Sequence, residues 1–329
     1  MSALRPYAEE NRRMTWFLTI NTLALIAIEL RLTMPDLPIF VRIAASVLAA
    51  LTMVRIFIVY HDYLHGAVFR NSPTGSMIMS VVGTLMLRPP ADWRRSHNFH
   101  HVHNTQFATA NVGSFPIKTV AEYAALPPNK KRNYRIVRSP LVIVFGYITC
   151  FVLESFKKIF FKEEGLTAQA LIALTIHFTL LGICISAGWD VAVLSFLIPY
   201  FGSCAIGTYL FYMQHNFEGA NFRPDDQWDF EFAALNSSSC LKCGRLAHWF
   251  TGNIGYHHIH HLNHKVPFYR LPEAMKAIPE LQHPVFVDLK ISTIFRTLNL
   301  KLWDSDQSRM ISFQEFEARS QPSLQAFSS

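Results

Sequence analysis

Nine histidines in four places carry the chemistry this sequence could perform. His61 and His65 form an H-x-x-x-H pair. His97, His100 and His101 form H-x-x-H-H, and His257, His260 and His261 repeat it. His215 stands alone in the run Tyr-Met-Gln-His-Asn. Imidazole is the commonest metal ligand among side chains. Positions i, i+3 and i+4 of a helix share one face, so each cluster can aim its rings at a common point. A single histidine in any of these places would read as structural or surface, but three clusters at ligand spacing do not. With His215, nine nitrogens can converge, enough for two ions with four or five ligands each. Imidazole suits zinc, copper, iron and nickel. A catalytic zinc site usually takes three protein ligands, and nine exceed that. Two irons are the natural choice if the chemistry activates dioxygen.

Asp62, Asn98, Asn216 and Asn253 adjoin the clusters. They could hold ligand N–H groups or a bound water, or serve as helix caps and polar filling. Among the remaining histidines, His177 sits inside an apolar run and reads as a packed or hydrogen-bonded residue. His103, His248, His258, His264 and His283 are assigned to supporting or surface positions. Cys150, Cys184 and Cys204 lie in apolar runs and read as buried thiols. Cys240-Leu-Lys-Cys243 offers only two thiolates where a structural zinc site needs four ligands. It reads as an exposed loop, with metal or redox work as the lesser alternative.

The elements that must position these rings are apolar. Half the residues are hydrophobic and 16% are charged, a composition of an integral membrane protein rather than a soluble one. Four runs reach the roughly 20 residues a bilayer crossing needs: Trp16–Thr33, Ile39–Tyr60, Thr167–Ala187 and Val191–Met213. Short turns join them into two hairpins. Neither turn carries Lys or Arg, while Arg5, Arg12 and Arg13 precede the first run. By the positive-inside rule the turns face away from the cytoplasm. Arg42 and Arg55, inside the second run, are expected to snorkel toward its ends. The first run is long and lacks a small-residue cleavage site, so it reads as a retained span.

Met77–Leu87 is too short to cross, and Pro140–Leu153 reads as an amphipathic helix in the interface. Parity supports that choice. His61 follows the second span and His215 the fourth, so an even number of crossings must separate them if they share a metal site. The expected fold is therefore an all-α integral membrane protein. It has four spans in two hairpins, interfacial helices and a cytosolic histidine-rich cap, as a single domain over 1–329. The polar tail from about Ser305 is expected to fray. The net charge of +7 needs no nucleic-acid partner in such a protein. The basic stretch Asn129–Arg138 reads as a solvated cytoplasmic face, with a docking patch as the lesser alternative.

The three boxes in this order, flanked by paired spans, resemble the membrane fatty acid desaturase family. Supporting stretches are His61-Asp-Tyr-Leu-His-Gly, Trp93-Arg-Arg-Ser-His-Asn-Phe-His-His, Gln214-His-Asn-Phe-Glu and Trp249-Phe-Thr-Gly-Asn-Ile-Gly-Tyr-His-His-Ile-His-His-Leu. Val266-Pro-Phe-Tyr-Arg-Leu-Pro is similar to bacterial acyl-lipid desaturases. The resemblance spans roughly His61 to Asp304. It implies a diiron centre at the cytosolic face, held by the three boxes and His215. Dioxygen is the co-substrate, and two hydrogens leave an acyl chain. The resemblance leans toward acyl-lipid rather than acyl-CoA substrates and toward a bacterial inner membrane. No haem, flavin or iron–sulfur motif is present, so a separate electron donor such as ferredoxin or cytochrome b5 is implied. A hydroxylase or ketolase on acyl, alkane or carotenoid substrates shares the same boxes. A metal transporter or sensor would instead need ligands along a path across the bilayer.

Overall fold

The computed structural model describes residues 2–109 and 113–320. Four helices are long and apolar enough to cross a membrane: α1 (Arg12–Arg31), α2 (Ile39–His65), α5 (Thr167–Ala187) and α6 (Trp189–Met213). Between the hairpins lie α3 (Pro73–Leu85) and α4 (Pro90–Val102), and the cap carries α7 (His257–Leu262) and α8 (Phe313–Ser320). Asn11 caps α1, its side chain accepting from the Met14 amide at 3.0 Å, so α1 starts a turn before the apolar run. α2 continues past Tyr60 to His65 and stops at Gly66, which takes a left-handed φ of 66°. The second span itself therefore delivers the first histidine pair.

α2 is the central span. Met53, Ile56, Val59, Tyr60 and Leu64 pack in one core with Met79 and Val82 of α3. Only 22% of the apolar window of α1, and of that of α5, is buried. Phe17, Ile20, Leu171, Ile172 and Ile183 face outward, an apolar belt that suits lipid tails. The contact face of α1 includes buried polar residues. Thr19 and Thr22 are buried and donate to the carbonyls of Thr15 and Leu18 at 2.8 and 2.7 Å. Arg42 bonds the Thr33 carbonyl at 2.8 Å and Asp190 at 2.6 Å, tying the two hairpin turns together. Arg55 reaches the other end but stays buried, its guanidinium 4.3 Å above the Trp249 ring.

The stretch expected as a flat interfacial helix is a wedge. Helix Pro140–Val144, a π-helical turn Tyr147–Val152 and helix Leu153–Phe160 run between α5 and α6. Tyr147 Oη lies 2.6 Å from His177 Nε2 and its ring 4.5 Å from that of Phe201. His177 is ten residues into α5, about 15 Å along its axis. Gly146 permits the close approach, since a Cβ there would lie 2.4 Å from Thr208 Oγ1. Both ends return to one level: Arg138 bonds Asn216 at 2.6 Å, and Lys158 bonds Asp92 at 2.6 Å. The wedge enters and leaves on the same side, which preserves the parity expected of the spans.

Among the described residues the cap holds five short strands. β1 (Lys118–Thr119), β4 (Leu302–Asp304) and β5 (Arg309–Ile311) form one sheet in the order β1-β4-β5, while β2 (Cys240–Lys242) pairs parallel with β3 (Phe286–Asp288). The tail expected to fray from about Ser305 is instead ordered through Ser320. Met310 and Ile311 are buried in β5, and Phe313 of α8 packs 5.3 Å from Tyr123. Those apolar residues are sparse in a polar sequence, which hid the element.

Two cations pin the cap to the end of α6. Arg138 is wholly buried, with its guanidinium 4.9 Å from the Tyr212 ring and a bond of 2.9 Å to the Leu300 carbonyl. Lys301 is also buried. It donates to the Arg138 carbonyl and lies 3.5 Å from Tyr212 Oη, with no carboxylate partner among the described residues. Burial, and then repulsion from Arg138, pushes the Lys301 pKa down to about 7. The unfolded chain keeps that proton to about pH 10. Between these values the unfolded state binds more protons, so stability rises with pH. Comparing the melting temperature of the wild type with that of Lys301→Met from pH 7 to 9 should show an upward trend in the wild type that the variant lacks. Parallel curves would contradict a strained, buried ammonium.

Candidate metal centre

All nine histidines singled out by spacing are buried and meet in one layer. They divide into two sets whose ligand atoms lie within 4.8 Å of one another. His61, His65, His97, His101 and His260 form the first. His100, His215, His257 and His261 form the second. Helix geometry explains the split. Each H-x-x-H-H box gives its i and i+4 rings to one set and its i+3 ring to the other. Directions at i+3 and i+4 diverge by about 100° around a helix axis, so one box must serve two points. The first box lacks an i+3 histidine and feeds one set only. His215, in the turn after α6, supplies the fourth member of the second set.

The rings present Nε2 atoms to each other. His61 and His97 approach to 2.7 Å, His61 and His65 to 3.3 Å, His97 and His101 to 3.2 Å, and His101 and His260 to 3.0 Å. In the second set His215 lies 3.1 Å from His100 and 3.0 Å from His257, and His257 lies 3.0 Å from His261. Imidazole nitrogens held about 2.1 Å from one ion stand about 3.0–3.4 Å apart. Mutual hydrogen bonding cannot satisfy five converging nitrogens, because each shared proton serves only one pair. An electrophile at the centre of each set does. Burial, reinforced by the neighbouring imidazoles, pushes the pKa of His97, His100, His101, His257, His260 and His261 well down. That of His215 falls to about 4, chiefly through burial. These rings are neutral at physiological pH, the form that binds a metal. The donor set therefore fits two metal ions.

The local fold fixes this arrangement. α2 ends with His61 and His65 one turn apart, ring centroids 4.6 Å from each other. The turn before α7 lies flat against α2, because Gly252 takes φ of 52° and a Cβ there would sit 2.8 Å from Ile58 Cγ2. Trp93 stacks on His97 at 4.9 Å.

Of the four residues expected to support the ligands, one does so directly. Asp62 is buried with Oδ1 3.1 Å from His61 Nδ1, while its Oδ2 accepts from the Phe268 amide at 2.6 Å. Asn98 points outward and is exposed, because it falls on the face of α4 opposite the boxes. Asn216 accepts from Arg138 and donates to the Tyr212 carbonyl at 2.9 Å. Asn253 takes φ of 55° and donates to the Phe268 carbonyl at 3.1 Å, fixing the turn rather than a ring. The support for His215 is the Ser237 carbonyl, which lies 3.0 Å from Nδ1. A backbone oxygen 22 residues away leaves no signal in sequence.

His258 sits between two ligand candidates yet turns away, with Nε2 3.1 Å from the Leu281 carbonyl. His264 was assigned only to a supporting or surface place, and its ring lies 4.7 Å from that of His65 and 5.2 Å from that of His101. Cys240 is not in an exposed loop. It is buried in β2, and burial raises the Cys240 and Cys243 thiols to about 12 and about 11. Both cysteines are free.

A cavity of about 560 Å³ opens beside the layer and reaches His61, His97 and His257. Its walls are mainly apolar, with Val54, Phe57, Leu210 and Phe211 prominent. Gly207 of α6 also lines it, and an added Cβ there would meet no atom within 4 Å.

The fatty acid desaturase family model matches residues 38–287. A Bacillus subtilis fatty acid desaturase is 34% identical over 285 residues, covering 85% of this chain and 79% of that protein. The sn-1 oleoyl-lipid 12-desaturase of a Synechocystis species is 24% identical over 75% of this chain and 68% of its own length. A chloroplastic omega-6 fatty acid desaturase of Arabidopsis thaliana is 21% identical, and there the match covers 68% of this chain and 50% of the plant protein. The chain belongs to the fatty acid desaturase family, as a membrane-associated fatty acyl desaturase whose histidine cluster is consistent with a diiron centre.

Proposed function

We propose that the protein introduces a double bond into acyl chains of membrane lipids, with dioxygen as co-substrate. In this reading two irons sit in the two histidine sets, bound by His61, His65, His97, His101 and His260 and by His100, His215, His257 and His261. The observation that carries it is the five-and-four division of Nε2 atoms beside an apolar cavity. An unactivated methylene has no acidic proton, so side-chain acid–base chemistry cannot begin the reaction. Bound iron supplies the oxygen-dependent removal of hydrogen, and the protein supplies orientation and exclusion of water. Here Phe57, Leu210 and Phe211 hold the chain against the layer, and Asp62 and the Ser237 carbonyl fix His61 and His215. Electrons come from a separate carrier protein of the ferredoxin or cytochrome b5 kind. The boxes and both ends of the chain lie on the cytoplasmic side of a bacterial inner membrane, a reading supported by Arg5, Arg12 and Arg13 at the start of the first span.

Expression in a host with saturated lipids, followed by mass spectrometry with double-bond location, tests the activity. New monoenoic chains are expected, and hydroxylated products alone would contradict it. His260→Ala and His100→Ala remove ligands from different sets. Each should abolish turnover and lower bound iron by about half, because each set holds one ion. Full iron content in either variant would break the assignment. Asp62→Ala should weaken metal retention about 10- to 100-fold, measured by chelator competition, whereas Asn98→Ala should not change it. Gly207→Leu should place a side chain in the cavity and shift the products toward shorter acyl chains. An unaltered chain-length profile would exclude that wall.

A further inference from the structure

The cavity is apolar along most of its wall, but one end carries a buried charge set that an acyl chain cannot use. Lys158 Nζ and Arg88 Nη1 both meet Oδ2 of Asp92, at 2.6 and 3.3 Å. All three side chains line the cavity and are at most 12% exposed. Farther out, Arg95 pairs with Glu163 at 2.6 Å and Lys157 with Glu154 at 2.5 Å, each cation with its own carboxylate. The inner set has two cations on one carboxylate and keeps one unmatched positive charge. Arg88 also spends Nη2 on the Cys150 carbonyl and packs over the rings of Phe151 and Trp93 at 4.9 and 5.5 Å. Its Nε is buried without a partner. An uncompensated buried cation is costly. Placed on a cavity wall, it is relieved when an anion enters.

The position suits a substrate head. Asp92 precedes His97 by five residues on α4, about 7.5 Å along the axis. Gly207 lies eight residues before His215, about 12 Å along α6 and on its span side. We propose that Arg88 and Lys158 bind the phosphate ester of the substrate's head group, while its chain passes the histidine layer toward Gly207. Phosphate can accept the free Nε–H of Arg88 and a proton of the Lys158 ammonium together. The same phosphate chemistry could come from a phospholipid or from an acyl thioester carrier. The exposed Phe156, Phe160 and Phe161 beside Lys157 and Lys158 favour the bilayer as its source. The inference rests on the desaturase reading and extends it to the head group.

Lys158→Gln is the informative variant. It leaves Arg88 and Asp92 as a matched pair, so the buried charge becomes balanced. The full chain, loaded with iron and held in nanodiscs, is assayed on phosphatidylglycerol, on a diacyl galactolipid without phosphate and on acyl-CoA. The variant should raise KM for phosphatidylglycerol about tenfold more than for the galactolipid, with kcat little altered, and Lys158→Arg should restore it. Equal changes on both lipids, or no change on any of the three substrates, would overturn the proposal. A loss confined to acyl-CoA would keep the phosphate subsite and name the thioester carrier as its source. If the wild type desaturates none of the three, the desaturase reading fails by itself. The subsite is then judged by phosphorus NMR of glycerol 3-phosphate. Line broadening with the wild type and not with Lys158→Gln upholds it, and equal broadening or none rejects it.

Discussion

Nine imidazoles facing one another in a dry layer are the constraint on which the rest of the structure depends. Such a layer has no internal remedy. Nitrogens 2.7–3.3 Å apart repel where both carry lone pairs, and water is excluded by burial. The arrangement becomes favourable when a cation occupies each set, so metal affinity and folding are coupled. That coupling explains why the ligands come from four separate stretches. α2, α4 and α7 must be in place for the first set to close, and α4, α7 and the turn after α6 for the second.

The scaffold answers this demand with rigid pieces rather than loops. Two histidines ride on the end of the most buried span, and three ride on each of two helices aimed at it. Gly252 lets the turn before α7 come close to α2 without a clash, and Gly66 takes the left-handed conformation that ends α2. Asp62 links two needs at once. It faces the His61 ring with one oxygen and with the other accepts from Phe268, which packs in the α2 core. The cap is held by Arg138 and Lys301 against Tyr212 near the end of α6, three residues before His215. Packing of the cap and placement of the second set are therefore mechanically connected.

Much of this was legible in the sequence because it rests on local periodicity. Span lengths, the hairpins and the helical histidine spacing all follow from patterns within a few residues. His215, a lone histidine just after the fourth span, was singled out by its place and by the resemblance. The count of four or five ligands per ion was legible too, but the division was not: each box was expected to aim its rings at one point, and each H-x-x-H-H box serves two because i+3 and i+4 rings diverge. What was not legible depends on distant pairing. Ser237 acts through a carbonyl, which has no side-chain signature. Asp92 and Lys158 are 66 residues apart and gain meaning only from a shared cavity. Asn98 looked like a partner because it adjoins a ligand, but adjacency puts a helical residue on a different face, and Asn216 and Asn253 lie in turns where they bond Arg138 and the Phe268 carbonyl. β5 and α8 carry too few apolar residues to show a period, yet those few are buried.

The wedge from Pro140 to Phe160 is where the scaffold and the cavity become one object. Its middle must pass close to α6, which Gly146 allows at Thr208. Its π-helical turn carries Cys150, whose carbonyl accepts from Arg88, and Phe151, whose ring lies beneath that guanidinium. Its far end carries Lys158 onto Asp92. A straight helix lying in the interface could not make all these contacts, because they lie at different depths along α5 and α6. The departure from regular geometry therefore has a positional reason. It lets one short stretch line the apolar part of the cavity and also deliver the charge that closes its polar end. The mouth is consequently built on the same element that separates α5 from α6, so a displacement of either span changes the distance between the charged end and the histidine layer.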